Sequence, residues 1–230
     1  MKRIFGIFCL AALVLCACDK DKDKGKDDGP FTIDPYDLVG VWACTEHIDP
    51  EGTSIPDVAA YTSMIISIKD LTHYAPYYGT EGQKYEYESM KIDGDRLILD
   101  EGKETEMILK VKKLDGKTMT WLQYPDSDYP IEESYANVSH ILPGEWTIHY
   151  PDADISATIN SNKMVEQYPS DSVEYDLLIY IKGGQVVINI TQILKDDEPW
   201  ETEFTVLSIT ENRIETKQAV SNSKVVFERK

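Results

Sequence analysis

The side chains with the widest chemical scope in this 230-residue chain are its histidines, carboxylates, tyrosines and cysteines. The four histidines are scattered, at His47, His73, His140 and His149. Zinc ligands usually come in closely spaced pairs, so this spacing does not predict a zinc site. The sequence also has no metalloprotease helix signature, nucleophile elbow or phosphate-binding glycine loop. We therefore predict no catalytic residues, no metal and no cofactor, and expect a protein that is not an enzyme.

Carboxylates are abundant, with 41 acidic residues against 23 lysines and arginines. Asp152, Asp154 and residues 196–198 form acidic clusters in predicted turns. Because a calcium site needs six or more oxygens brought together, we interpret these clusters as solvated loops. A glycosidase-type pair of carboxylates stays an open alternative. The formal net charge of −18 predicts repulsion from nucleic acid and from anionic membrane surfaces, so nucleic acid is not an expected partner.

Tyrosines are concentrated in one predicted hairpin, at Tyr74, Tyr77, Tyr78, Tyr85 and Tyr87. A tyrosine presents a flat apolar face with a polar tip, which suits contact with a sugar or a protein partner. Cross-strand aromatic pairing, which stabilises any hairpin, is the interpretation we favour. Contact with a ligand or partner is the functional alternative for this group.

The first 17 residues have the pattern of a secretory signal peptide, with Lys2 and Arg3 before an apolar run over residues 4–14. This run is shorter than the ~20 residues of a membrane-spanning helix. It ends in the sequence Leu-Cys-Ala-Cys, which resembles the bacterial lipobox, where signal peptidase II cuts before the cysteine that receives a lipid. The resemblance implies cleavage after Ala17 and a lipid on Cys18, because bulky Leu15 precedes the other candidate, Cys16.

Residues 18–36 begin with the lipidated cysteine and continue as an alternation of lysine and aspartate that ends in Gly29 and Pro30. So charged a segment cannot bury enough apolar surface to fold, and we predict a disordered tether. A charged run in this place resembles the export signals of surface lipoproteins in the Bacteroidota. It implies a lipid anchor in the outer membrane with the protein on the cell surface, the periplasmic face being the alternative. In enterobacteria, by contrast, an aspartate directly after the cysteine tends to retain a lipoprotein in the inner membrane.

The remaining chain begins each of its halves in a similar way, with glycine two positions before tryptophan at Trp42 and again at Trp146. Each opening is followed by short alternating apolar and polar segments separated by turns such as Asp93-Gly94. This repetition predicts an all-β protein built from two tandem antiparallel meander β-barrels. We place the first domain at residues 37–124, a linker at 125–140 and the second domain at 141–230. Cys44 is predicted to be a small buried hydrophobe on the Trp42 face.

These openings and turns resemble the lipocalin-like domains of many Bacteroidota lipoproteins. The resemblance implies up-and-down barrels in which the tryptophan packs across the closed end and an arginine near the last strand stacks on it. Arg229 is in place to stack on Trp146, whereas the predicted last strand of the first domain, residues 117–124, offers Trp42 no arginine. That domain is also one strand short, so we expect its barrel to close incompletely.

Three functions are open to such a protein. The first is a lipid-anchored, non-enzymatic binding module of the cell envelope, with a glycan or an envelope protein as partner. The second is a carrier that holds a small apolar ligand inside a barrel, as lipocalins do. An enzyme on this scaffold is the least favoured, because fold does not carry function and no catalytic signature is present.

Overall fold

A computed structural model describes residues 32–76, 82–192 and 199–230 and confirms the all-β prediction, with two antiparallel barrels in tandem. The predicted signal peptide, Cys18 and most of the tether lie outside the described residues, as do Tyr77 and Tyr78. Three short helices are α1 (Pro35–Leu38), α2 (Pro56–Ala59) and α3 (Val138–Ile141). None of the described helices is long and apolar enough to cross a membrane.

The first barrel contains β1 (Gly40–Ile48), β2 (Ser63–Ile66), β3 (Leu71–Pro76), β4 (Gly82–Tyr87), β5 (Met90–Asp93), β6 (Arg96–Leu99), β7 (Met107–Leu114), β8 (Thr118–Gln123) and β9 (Ile131–Asn137). The second contains β10 (Gly144–His149), β11 (Asp154–Ile159), β12 (Lys163–Gln167), β13 (Ser172–Lys182), β14 (Gln185–Gln192), β15 (Trp200–Thr210), β16 (Arg213–Gln218) and β17 (Lys224–Arg229). Each strand of the second barrel pairs with its neighbours in sequence, and β17 pairs with β10 to close the ring.

The first barrel has the same plan, with its fourth strand broken in two. Its sheet runs β4-β3-β2-β1-β9-β8-β7-β6-β5, so β4 and β5 are the two edges. In the second barrel the single 11-residue β13 pairs with both β12 and β14, which is the place that β4 and β5 share. The first barrel is therefore nearly closed, with one gap between Tyr87 and Met90.

Asp100 holds this gap together. Its Oδ1 accepts the backbone N–H groups of Glu88 (3.1 Å) and Ser89 (3.2 Å), and its own N–H donates to the Ser89 carbonyl (3.0 Å). Burial opposes ionisation of this side chain, but the hydrogen bonds from Lys103, Thr105 and Ser89 outweigh it and lower the pKa of Asp100 to about 2. The backbone at the break is thus held by hydrogen bonds to the Asp100 carboxylate, which take the place of strand-to-strand hydrogen bonds.

The predicted linker at residues 125–140 is wrong, because β9 lies inside it. This strand pairs with β1 on one side and with β8 on the other, and α3 follows directly. The cause of the error is that β9 turns a glutamate, Glu133, toward the interior, where an apolar residue is the usual occupant. Strand β9 is also the strand that the sequence-based prediction leaves out of the first barrel.

The two tryptophans close equivalent ends of the barrels, and both are fully buried. The indole N–H of Trp42 donates to the Leu38 carbonyl, and that of Trp146 to the Leu142 carbonyl, both at 2.7 Å. Leu38 is the last residue of α1 and Leu142 is the C-cap of α3, so in each barrel the acceptor lies at the end of the short helix before the first strand. Cys44 packs against the core that contains Trp42.

The barrels contact each other directly. Ala43 of β1 and Ala136 of β9 belong to the same hydrophobic cluster as the core of the second barrel. The Ser63 hydroxyl donates to the Gly184 carbonyl (2.7 Å), and the Gly82 N–H to the Gly183 carbonyl (3.2 Å). The β13–β14 turn of the second barrel is thus fastened to the wall of the first.

Candidate functional site

Each barrel has a mouth, which we define as the end opposite its tryptophan, and each mouth holds one buried glutamate. Glu133 in the first barrel and Glu166 in the second are both 2% exposed. A buried carboxylate is costly unless hydrogen bonds or a cation compensate its charge. The two mouths compensate it in different ways, and the difference decides what each can do.

Glu133 is surrounded by four donors. Its Oε1 accepts from His47 Nδ1 at 2.9 Å. Its Oε2 accepts from Trp121 Nε1 (2.9 Å), Gln123 Nε2 (2.6 Å) and the Tyr135 hydroxyl (2.6 Å). Burial would raise the pKa of Glu133, but the hydrogen bonds, led by the one from His47, lower it to about 2. The carboxylate is therefore ionised and its acceptor capacity is used within the protein.

A β-bulge brings His47 into this cluster. The register between β1 and β9 shifts between Cys44 and Glu46, so Thr45 is the extra residue. Cys44 and His47 then both lie opposite inward residues, Tyr135 and Glu133, although they are three positions apart. Sequence reasoning missed this pairing, because strict alternation from Trp42 would turn His47 outward.

His73 connects the Glu133 cluster to the predicted tyrosine group. It is 5% exposed, and burial lowers the pKa of its imidazole. Its Nε2 lies 3.4 Å from the Tyr135 hydroxyl, and its ring lies 6.3 Å from that of Trp121 and 6.4 Å from that of Tyr85. Tyr85 is 40% exposed, so it is the outermost ring of a chain that leads inward to Glu133.

The described tyrosines of the hairpin do not share one surface. Tyr87 is 6% exposed and packs in the core opposite Leu71. Tyr85 pairs with His73 on the same inward face, whereas Tyr74 pairs with Lys84 on the other face. Of these three residues, only Tyr85 is both exposed and at the mouth.

The side chains that hydrogen-bond to Glu166 in the second mouth, among the described residues, are all tyrosines. Its Oε1 accepts the hydroxyl of Tyr150 (2.7 Å), and its Oε2 accepts those of Tyr168 (2.7 Å) and Tyr175 (3.1 Å). Burial and the nearby Glu166 charge raise the pKa of Tyr168 to about 12 and raise the pKa values of Tyr150 and Tyr175 further. All three donors are therefore neutral, and within the described residues no basic side chain forms an ion pair with Glu166.

More aromatic rings and an unpaired hydroxyl complete the second mouth. The Trp200 ring lies 5.8 Å from that of Tyr175 and is 43% exposed, and the Phe204 ring lies 6.5 Å from that of Tyr150. Thr202 lies between Trp200 and Phe204 on the inward face of β15. It is 2% exposed, and its Oγ1 has no hydrogen-bond partner among the described residues. No local pattern pointed to this site, because its members come from three strands, β12, β13 and β15, and from the turns that contain Tyr150 and Tyr168.

The closed end of the second barrel carries the arginine that the lipocalin resemblance implies. Arg229 Cζ lies 4.4 Å from the centre of the Trp146 ring, and its Nη1 donates to the Pro143 carbonyl at 3.2 Å. At Trp42 the corresponding strand is β9, where Asn137 donates to the Val39 carbonyl at 3.1 Å. The residues at both closed ends therefore have a structural role.

The interiors between mouth and closed end are packed with side chains. Trp42, Trp121 and Tyr135 fill the first barrel, and Trp146, Phe204 and Phe227 the second, all at most 1% exposed. A groove of about 300 Å³ lies outside the barrels, where Val41 and Ser139 meet Leu178 and Ile179. Among the described residues, no group of three or more histidines, cysteines or carboxylates is arranged to hold a metal ion.

No protein-family profile and no curated protein matches this sequence. One of the solved structures that match is a crystal structure of a protein with unknown function from the DUF3598 family of Nostoc punctiforme. It is 10% identical, and the alignment covers 85% of this chain and 98% of that chain with a TM-score of 0.27. This similarity is too low to carry an inference about the present chain.

Proposed function

We propose that this protein is a lipid-anchored, non-enzymatic binding module of the cell envelope that recognises its partner at the barrel mouths. The observation that carries the proposal is that both barrels are filled by their own side chains, while exposed aromatic rings stand at both mouths beside a buried carboxylate. A packed interior favours recognition of a glycan or an envelope protein from outside over carriage of an apolar ligand within.

The anchor is part of the same proposal. The lipobox-like sequence ending in Cys18 and the charged segment after it support attachment to the outer membrane through a lipid. The acidic chain, with a net charge of −18, is repelled by anionic lipid headgroups, so the tether holds the barrels away from the surface and leaves the mouths open to a partner.

Membrane fractionation of the host tests the anchor. Wild-type protein is expected in the outer-membrane fraction, and Cys18→Ala in the soluble fraction. Protease treatment of intact cells separates surface exposure, in which the protein is degraded, from the periplasmic location, in which it is protected. If Cys18→Ala stays in the membrane fraction, the lipid anchor is wrong.

Capture from envelope extracts and glycan arrays tests the binding surfaces. Tyr85→Ala and Trp200→Ala remove the exposed rings of the two mouths, and at least one is expected to abolish capture of the partner. Tyr36→Ala is the matched control, because Tyr36 is 72% exposed but belongs to α1 near the closed end of the first barrel. Equal capture by all four proteins would show that recognition does not use the mouths.

A further inference from the structure

We propose that the mouth of the second barrel binds an organic ammonium ion, either a lysine side chain of a partner or a small amine. This inference rests on the proposed function, since it names the chemistry that one of the two mouths recognises. The residues that carry it are Glu166, the three tyrosines bonded to it, Trp200 and Thr202.

The charge of Glu166 is the first reason. Its three donors are neutral phenols, so the carboxylate is hydrogen-bonded but its charge has no counter-ion among the described residues. Glu133 differs, because an imidazole at 2.9 Å and three further donors surround it. An ammonium group entering the second mouth supplies a positive charge for Glu166, and charge-assisted hydrogen bonds are stronger than neutral ones.

Free acceptor capacity is the second reason. A carboxylate has about four lone-pair positions. Within the described part of the chain, Oε1 of Glu166 accepts only from Tyr150, whereas Oε2 accepts from two tyrosines. One position on Oε1 is thus open. The Oγ1 of Thr202 is a second acceptor that has no partner among the described residues. Thr202 lies between Trp200, whose ring is next to Tyr175, and Phe204, whose ring is next to Tyr150. An ammonium ion carries several N–H donors, which suits a mouth that offers more than one acceptor.

The aromatic walls are the third reason. The faces of tyrosine and tryptophan rings attract cations, and this attraction strengthens when the cation leaves water. Trp200, at 43% exposed, lies at the entrance, and Tyr175 lies behind it. A cation passing Trp200 therefore moves along aromatic rings toward the carboxylate.

Tyr168 competes with a ligand for hydrogen bonding to Glu166. It is 40% exposed, and its hydroxyl occupies Oε2 of Glu166. The ligand gains most when this phenol turns outward and an ammonium N–H replaces it. Tyr168→Phe keeps the ring but removes the competing hydroxyl, so this substitution strengthens binding, whereas Glu166→Gln removes the charge and weakens it. Opposite effects of two neighbouring substitutions are not expected from general damage to the fold.

The test is a titration of the purified chain with methylammonium and with Nα-acetyl-lysine amide, in which binding is monitored by tryptophan emission. Trp200 reports the mouth, because Trp42, Trp121 and Trp146 are at most 1% exposed. Both probes are expected to saturate the signal. The form of the lysine probe that is also acetylated on its side-chain Nε, and therefore carries no charge, is expected not to bind. Tighter binding of the lysine probe indicates a protein partner, and tighter binding of methylammonium a small amine.

Variants complete the test. Glu166→Gln is expected to weaken binding about tenfold or more, as truncation of a buried charge pair does. Glu203→Gln is the matched control, since this carboxylate lies on the same barrel but already pairs with Lys182 at 2.9 Å, and its affinity should equal that of the wild type. If Glu166→Gln does not fold, Trp200→Leu, at an exposed position, should weaken binding instead, and its affinity is measured by isothermal titration calorimetry because this variant lacks the fluorescent reporter.

Three outcomes overturn the inference: no saturable signal with either probe, unchanged affinity in Glu166→Gln and Trp200→Leu, or an equal loss in Glu203→Gln. These outcomes are separate from failure of the proposed function. A chain that captures an envelope partner through its mouths but does not bind ammonium refutes only the inference. A chain that binds ammonium but is found in the soluble fraction refutes only the anchored location.

Discussion

Asn137 occupies in the first barrel the position that Arg229 occupies in the second. Asn137 pairs in register with Trp42, and Arg229 with Trp146. The Asn137 side chain fills the space that a Cβ on Gly40 would need, and it donates to the Val39 carbonyl. In the same way, the Arg229 side chain fills the space that a Cβ on Gly144 would need, and it donates to the Pro143 carbonyl. One closure is built from a cation on an indole ring, and the other from a neutral amide.

Arg229→Ala should therefore destabilise the second barrel. The substitution removes the contact with Trp146 and the hydrogen bonds to the carbonyls of Pro143 and Glu211, the latter at 2.8 Å. We expect a loss of ~1–3 kcal/mol in the free energy of unfolding, measured by denaturant titration of tryptophan emission. Lys230→Ala, which removes an exposed hydrogen bond from the lysine Nζ to the Ser156 hydroxyl (2.7 Å), is the control and should change stability little. Equal effects would mean that the stacked arginine does not stabilise the closure.

A second prediction concerns the glycine behind Asn137. Gly40 has a φ of 147°, and a Cβ there would overlap the Asn137 side chain. Gly40→Ala should destabilise the first barrel by ~1–3 kcal/mol through strain and overlap together. In an Asn137→Ala background the overlap disappears, so the same substitution should cost less, and a double-mutant cycle by denaturant unfolding measures the difference. An additive cycle would contradict the overlap and leave backbone strain as the cause.

The first barrel should lose stability in acid before the second. The pKa of Glu133 is about 2 in the folded chain, below its ordinary 4.5, so the unfolded chain binds the proton more readily. Stability from Glu133 is complete above about pH 4.5 and falls as the pH decreases toward 2. Burial also lowers the pKa of His73 below its ordinary 6.5, and this adds a loss of stability that begins as the pH falls below 6.5. Hydrogen exchange of the two barrels between pH 7 and pH 3 measures the order of opening.

Glu133→Gln tests the source of this pH dependence. An amide nitrogen cannot accept the hydrogen bonds that Glu133 receives, so we expect a loss of ~2–4 kcal/mol at pH 7 and a flatter profile between pH 5 and pH 3. Glu132→Gln is the control, because the neighbouring side chain faces outward and pairs with Lys112 at 2.6 Å. A Glu133→Gln profile as steep as that of the wild type would place the acid sensitivity elsewhere.

Much of the fold followed from local pattern, and the sites did not. Alternation and turn glycines such as Gly94 predicted the strands, because period-2 burial and positive φ are local requirements. Strand β9 was missed since an inward glutamate is indistinguishable from an outward one until its donors are known. Those donors, including His47 and Trp121, come from other strands and depend on a bulge.

The lipocalin resemblance predicted the contact between arginine and tryptophan at the closed end, but not the residues that form the mouths. Trp146 and Arg229 lie at opposite ends of the second domain's sequence, and the resemblance predicted that they meet, as they do in the closed barrel. Glu166 meets Tyr150 and Tyr175 only through the register of strands β10 to β13, and no spacing in the sequence encodes those distances. A site made by long-range pairing of common residues is therefore visible only in three dimensions.

Gly184 provides the last prediction, on how the barrels are joined. A Cβ at Gly184 would overlap the backbone carbonyl of Tyr61 and lie 3.0 Å from Gly82 Cα, so Gly184→Ala should push the β13–β14 turn away from the first barrel. Gly94→Ala is a close control, since Gly94 also has positive φ (63° against 83°) but a Cβ there meets nothing within 4 Å. The control should lose ~1 kcal/mol from strain alone. Gly184→Ala should lose more, and the unfolding of the two barrels should separate into distinct calorimetric transitions. If both variants unfold alike, contact through this turn does not couple the barrels.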